Sequence, residues 1–259
     1  MSENLVRLDV AGGIATIRLD SPSNRNALSS ALLRALEEAL EAAIRDDRSR
    51  LILLTHTGPV FCSGADLKEQ RSAHPTADPK GPGGLAAVLK RIWRSPKPVV
   101  ARVGGPARAG GIGLIAACDI AVAAENATFA FSEVRLGLIP AMISVVVIPK
   151  IGVTKAMELF LTGDTFGAAE AVRFGLLNDA VPADQLDTRV SEYAMSILKG
   201  APAALAGCKR LVREIPAMDF DAALDLTAKW SAEFFASAEA QEGMTAFVEK
   251  RQPSWAEGL

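Results

Sequence analysis

Gly104-Gly-Pro-Ala-Arg-Ala-Gly-Gly-Ile-Gly113 runs without a break through Leu114-Ile-Ala-Ala117 into Cys118-Asp-Ile-Ala121. A glycine turn, Ala109-Gly110-Gly111, opens an apolar stretch from Ile112 to Cys118 that reads as a buried helix. N–H groups at a helix start have no intrahelical partner and carry the positive end of the dipole. An earlier segment, Phe61-Cys-Ser-Gly-Ala-Asp-Leu-Lys-Glu69, makes a second turn of the same kind. There Gly64 can take backbone angles closed to other residues, which frees the Ala65 N–H to point into a cleft. One N–H from each turn, aimed at one oxygen, makes an oxyanion hole worth roughly 3–4 kcal/mol per donor. A later segment, Phe131-Ser-Glu-Val-Arg-Leu-Gly-Leu-Ile-Pro140, delivers a carboxylate, Glu133. Two donors and one carboxylate can make and break C–H bonds beside a carbonyl. The Gly104–Gly113 segment is no dinucleotide fingerprint. It lacks Gly-x-Gly-x-x-Gly in register and an acidic ribose partner about 20 residues on.

Outward from these turns the chain alternates strands and helices. Leu5–Val10 and Ile14–Leu19 flank Ala-Gly-Gly and predict a hairpin. Leu28, Leu32, Leu33, Leu36, Leu40 and Ile44 recur at helical spacing, with Ser29 or Ser30 as cap. Leu51–Leu54, Pro98–Val103 and Asp119–Ala124 are short apolar strands, and residues 71–84 have the composition of a mobile loop. This alternation predicts an α/β fold. After Pro182 the texture turns helical, which places a boundary near residue 200: a core over 1–200 carrying the site and a helical region over 201–259.

Composition narrows the chemistry. The chain has 259 residues, 49% hydrophobic and 22% charged, with net charge −2. No global field draws it to nucleic acid or an anionic membrane, and no run of 18 apolar residues offers a bilayer span. The N-terminal segment has no apolar stretch of the secretory type, and three scattered cysteines, Cys62, Cys118 and Cys208, argue for a reducing compartment. A cytoplasmic location is the expectation. Two histidines, His56 and His74, and no clustered Cys/His spacing argue against a metal site.

The four segments, in this order, resemble the enoyl-CoA hydratase/isomerase (crotonase) family, and the resemblance runs along essentially the whole chain. Asn24-Arg-Asn-Ala-Leu28 is similar to that family's early signature, Phe61–Glu69 and Val103–Ala121 to its two oxyanion-hole segments, and Glu242–Arg251 to its ending. The resemblance implies a spiral of ββα units with a C-terminal helical region that drives trimers or dimers of trimers. Trp230, Phe234 and Phe235 offer apolar surface for that assembly. It implies further that the Ala65 and Gly110 N–H groups hold a thioester oxygen, lined by Ser63, Gly64 and Asp66, and that Glu133 is the family's second catalytic glutamate. Arg25, Lys68 and Lys250 fall where relatives contact the nucleotide of coenzyme A, Lys250 commonly reaching a neighbouring subunit. No cofactor is implied, coenzyme A entering as part of the substrate.

One position departs from the pattern. Family hydratases carry a first glutamate three residues beyond the hole glycine, and here that residue is Gly113. The favoured reading is a hydratase of 2-enoyl-CoA that works with one carboxylate. A Δ3,Δ2-enoyl-CoA isomerase, which needs one base, and a non-catalytic acyl-CoA binder are the alternatives. The stretch Ser132–Ser144 also looks like a branch that hydrates 3-methylglutaconyl-CoA. Arg108 and Arg135 would then offer guanidinium groups to a second substrate carboxylate, and Met142 would narrow the acyl end of the pocket.

Overall fold

The fold is seen in a computed structural model, which describes residues 5–72 and 84–258. The loop expected at 71–84 lies largely outside the described residues. β1 (Val6–Ala11) and β2 (Ile14–Leu19) form the predicted hairpin, with Val6 opposite Leu19. Its turn needs positive φ at both Gly12 and Gly13, which accounts for the glycine pair. α1 (Ser30–Arg45) buries Leu32, Leu33, Leu36 and Leu40 along one face, and Ser29 Oγ accepts the Leu32 N–H at 3.2 Å. Such a cap contributes about 1 kcal/mol.

The chain then makes three turns of one pattern. The first comprises β3 (Leu51–His56), the single pairing residue Cys62, α2 (Leu67–Ser72) and α3 (Leu85–Arg94). The second comprises β4 (Val99–Val103), β5 (Ala107–Arg108) and α4 (Gly110–Ala117). The third comprises β6 (Ile120–Ala124), β7 (Thr128–Ala130), a 3-10 turn over Ser132–Leu136, and α5 (Ala141–Thr162), which breaks at Gly152 where φ is 74°. β8 (Thr165–Gly167), α6 (Ala168–Arg173) and β9 (Asp179–Val181) follow. The chain closes with α7 (Leu186–Leu198), α8 (Pro202–Glu214), α9 (Phe220–Phe235) and α10 (Ala238–Glu249).

The first strand of each turn enters a six-stranded sheet of order β1-β2-β3-β4-β6-β9, parallel from β2 onward. The second strand enters a small sheet, β5-β7-β8, which the bridge between Cys62 and Ala107 extends. This is a spiral of ββα units. β3, β4 and β6 are apolar apart from Thr55, His56 and Arg102, because both their faces are largely covered. Leu51, Val100 and Val122 pack with Leu186, Val190 and Leu198 of α7. Ile52, Leu54, Val99, Ala101 and Ala121 enter the main core with α1, α3, α4 and α5.

The C-terminal helices are tied to the spiral by charge. Asp119 accepts the Val99 N–H at 2.7 Å and pairs with two cations of α8, Lys209 at 2.7 Å and Arg213 at 2.6 Å. Arg213 also stacks over the Trp93 ring at 4.1 Å. Of the aromatics expected on an assembly surface, Phe234 packs over Gly207 and Trp230 lies under Arg210, while Phe235 is exposed.

Removing Asp119 would strand two largely buried cations. Asp119→Ala is expected to cost roughly 3 kcal/mol, read as a lowered midpoint in denaturant titration. An unchanged midpoint would mean that α8 is held by apolar contacts alone.

Candidate active site

The small sheet sets the site. Cys62 pairs with Ala107, and Ala107 pairs with Phe129, all in parallel register. The two glycine turns and the glutamate therefore leave one row of three adjacent strands. Ala65 follows Cys62 by three residues, Gly110 follows Ala107 by three, and Glu133 follows Phe129 by four. Hydrogen bonds lock the first two strands: Phe61 N to Pro106 O at 3.0 Å and Arg108 N to Cys62 O at 3.0 Å.

Each turn has a local cause. Gly64 sits at φ 89°, and a Cβ there would lie 3.0 Å from the Ala109 Cβ, so the two turns pack on each other. Ala109 takes φ 49°, a left-handed angle costly for a residue with a Cβ, and from it the α4 helix starts. A side chain at Gly110 would have to displace the tip of Leu28, and Gly111 is there because nothing larger fits. Added Cβ atoms would stand 2.7 Å from Leu28 Cδ1 and 2.7 Å from Cys62 Cβ, respectively. Among the described residues, neither the Ala65 nor the Gly110 N–H donates to a backbone carbonyl. Ala65 is exposed, whereas Gly110 is buried at the start of α4. Cys62 lies beneath both turns, its thiol pushed up to about 12 by burial and thus neutral.

Gly113 faces α5. A Cβ at that position would lie 2.3 Å from Cγ2 of Ile143, a fully packed residue of the first turn of α5. The side chain missing at 113 is thus replaced by hydrocarbon from another helix. The sequence alone carries no signal for this exchange, because Ile143 reads as one more apolar residue of α5.

Glu133 stands in the first turn of the 3-10 segment after β7. It is half-buried, and its Oε2 is buried with no hydrogen-bond partner. Burial pushes its carboxyl above the ordinary value, with its own backbone N–H pulling weakly the other way. Apolar side chains follow it on the surface: Leu136, Leu138, Ile139 and Met142 are all exposed.

The other residues singled out in the sequence divide. Arg25 is exposed with φ 59°, and its carbonyl accepts the Ser63 N–H at 3.1 Å, so the early signature flanks the first turn. Asp66 has a local use. Its Oδ1 accepts the Lys68 and Glu69 N–H groups at 3.0 and 3.2 Å and so caps α2. Lys68 is exposed on α2, and Lys250 is exposed at the left-handed end of α10. Both arginines are hydrogen-bonded within the chain. Arg108 donates to Thr128 O at 2.6 Å, Thr128 Oγ1 at 3.0 Å and Ala107 O at 2.9 Å, which staples β5 to β7. Arg135 turns away to Asp164 at 2.6 Å and to Thr162 O. Met142 lies on the first turn of α5, beside the Ile143 that covers Gly113.

One residue of the early signature proves more informative than its sequence suggested. Asn26 is buried at φ 53° and joins three segments. Its Oδ1 accepts the Ser21 N–H at 2.8 Å, and its Nδ2 donates to Thr57 O and Val60 O at 3.1 and 2.8 Å.

Two aligned donor turns with a carboxylate on a ββα spiral define a protein of the crotonase class. The sequence profile of the enoyl-CoA hydratase/isomerase family matches residues 9–258, and the chain belongs to that family. It is 36% identical over 249 residues to the enoyl-CoA hydratase EchA19 of Mycobacterium tuberculosis, covering 94% of this chain and 93% of that protein. It is 34% identical to the human mitochondrial enoyl-CoA hydratase domain-containing protein 3, covering 94% of this chain and 80% of that one. Among solved structures, an enoyl-CoA hydratase of Mycobacterium smegmatis superposes with a TM-score of 0.90 at 35% identity, over 97% of this chain and 98% of that one. Pseudomonas aeruginosa AtuE gives 0.92 at 35% identity, over 98% and 100%.

Gly113→Ala is expected to destabilise the protein by about 1–3 kcal/mol through overpacking. Ile143→Ala in the same chain should recover part of that loss in a double-mutant cycle. Additive losses would separate the two positions.

Glu133 gives a pH prediction. A carboxyl with a raised folded pKa favours the folded state while protonated, and that advantage disappears as pH rises through the folded value. Glu133→Gln stays neutral throughout. It should therefore melt higher than the wild type at pH 7, by a margin that shrinks toward pH 4. A lower melting temperature at pH 7 would show that the ionised carboxylate is stabilised in the fold.

Proposed function

We propose that the protein reversibly hydrates a 2-enoyl-CoA to a 3-hydroxyacyl-CoA, using the two turn N–H groups and one carboxylate. The observation that carries this reading is Glu133: a half-buried carboxylate with an orphaned buried oxygen, on the strand row of the two donor turns. A polar atom left in that state costs free energy, which argues against a purely binding role. The thioester oxygen would sit between the Ala65 and Gly110 N–H groups, which stabilise the enolate as charge moves onto it. Glu133 would take a proton from water as the water oxygen bonds to C3. The resulting carboxylic acid would return a proton to C2, so the enzyme ends unchanged. A raised pKa suits this work, since the group must both accept and release a proton near neutral pH.

The acyl end favours hydrocarbon. Arg108 and Arg135 already bond within the protein, and Leu136, Leu138, Ile139 and Met142 follow the glutamate. This supports an apolar acyl chain over a carboxylated one such as 3-methylglutaconyl-CoA. Coenzyme A belongs to the substrate, and no further cofactor is needed for the chemistry. Phe220, Phe247 and Val248, exposed on α9 and α10, support assembly into a trimer or a dimer of trimers. The Lys250 of one copy could then reach the coenzyme A of another.

The replacement of the first glutamate by Gly113 under Ile143 favours a second reading, Δ3,Δ2-enoyl-CoA isomerisation. Moving one proton between C2 and C4 needs a single base.

A substrate panel read by mass and ultraviolet absorption tests both. Crotonyl-CoA or a longer 2-enoyl-CoA should gain one water, faster than 3-methylglutaconyl-CoA, and Glu133→Gln should lower kcat at least roughly 100-fold. A 3-enoyl-CoA that becomes conjugated, with no water gained by any substrate, would establish the isomerase instead. Turnover of none would leave a binder.

A further inference from the structure

His56 ends β3 and belongs to neither glycine turn, yet it touches the base of both. Its Nε2 accepts the Gly104 N–H at 3.0 Å. Its Nδ1 lies 3.3 Å from Thr57 O, which can only accept, so Nδ1 carries the proton. Its ring meets Phe61 edge to face, with centroids 5.4 Å apart. Gly104 leads into the second donor segment, and Phe61 opens the first. Between them the backbones are in close contact: a Cβ on Gly105 would lie 2.1 Å from Pro59 O. Asn26 holds the same loop from its other side through Thr57 O and Val60 O.

We infer that His56 is a positioning residue for the proposed oxyanion hole, acting as a hydrogen-bond acceptor that fixes the second donor segment against the first. This rests on the reading of Ala65 and Gly110 as the two donors. The role requires a neutral ring, because an imidazolium has no lone pair for the Gly104 N–H. The surroundings favour that form on balance: burial lowers its pKa most, backbone carbonyls led by that of Thr57 raise it, and the Arg102 guanidinium lowers it again. Arg102 lies beside the Gly104–His56 contact and is itself paired with Asp187 of α7. Just past the neighbouring strand, Asp20 accepts from Thr57 Oγ1 at 2.7 Å and pairs with Arg7. No part of the chemistry proposed above uses this histidine, and surface exposure does not explain it, since it is buried.

If His56 held only the fold, its loss would lower stability and leave the polarity of the hole unchanged in the molecules that remain folded. If it sets the donor geometry, its loss would weaken polarisation of a bound thioester. The test is infrared difference spectroscopy of butanoyl-CoA labelled with carbon-13 at the thioester carbonyl, an unreactive probe, with kcat and KM measured in parallel on the 2-enoyl-CoA that the wild type turns over best. Wild type should lower the carbonyl stretch on binding. His56→Phe keeps an aromatic edge for Phe61 but offers no acceptor. It should lose much of that downshift, with kcat falling about 10- to 100-fold and KM nearly unchanged. His56→Gln can place an amide oxygen near the position of Nε2 and should restore the downshift.

A folded His56→Phe with the wild-type stretch and kcat would overturn the proposal and leave the oxyanion hole standing. A wild type with no downshift would remove the hole and the proposal together. Where His56→Phe does not fold, His56→Gln decides: a retained downshift supports the acceptor role, and a folded variant without one overturns it.

Discussion

The parallel pairing of Cys62 with Ala107 and of Ala107 with Phe129 is the constraint on which the rest depends. Side chains in a sheet repeat with a period of two, so a slip of one residue turns every one of them to the other face. Here a slip would also separate the groups that leave the row three and four residues later. The large sheet alone does not place the site. It supplies parallel strands at fixed spacing, and each ββα unit carries its second strand to the small sheet. The site is therefore built by repetition: three successive units contribute an N–H, an N–H and a carboxylate from corresponding places.

Repetition at such close range excludes side chains. Gly64 packs against Ala109, Gly110 against Leu28, and Gly111 against Cys62. Their function is to let backbone approach backbone, which is also what leaves an N–H free to face a ligand. Ala109 shows the cost of the arrangement, since it holds a left-handed angle that its Cβ disfavours. Asn26 makes a similar concession and offsets it with three hydrogen bonds to its side chain. Strain and compensation gather where the two donor turns meet, while the large sheet outside them is ordinary packed hydrocarbon.

Much of this was legible in the sequence. The hairpin, the Ser29-capped helix and the strands at 51, 98 and 119 follow from periodicity and turn residues, and the structure has them all. The glycine turns were legible because glycine at a turn has few other uses. What was not legible is partnership across the chain. Arg108 and Arg135 look like substrate ligands in a linear reading, since an arginine beside a site is chemically suited to a carboxylate. Only the fold shows Thr128, 20 residues away, and Asp164, 29 residues away, already bonded to them. Asp66 has partners close by in sequence, the Lys68 and Glu69 N–H groups that it caps at the start of a short helix.

Gly113 joins these two lessons. In the sequence it is an absence, a glycine where the family resemblance implies a carboxylate. In the fold it is a contact, because Ile143 fills the space that a side chain would need. The exchange removes a charge from the site and closes the gap with hydrocarbon, so a glutamate could not simply be restored at 113 while α5 keeps its place. Burial separately raises the pKa of Glu133, the carboxyl that remains. At 113, a position that reads as a missing carboxylate is a packing site, set by how closely Ile143 of α5 approaches α4.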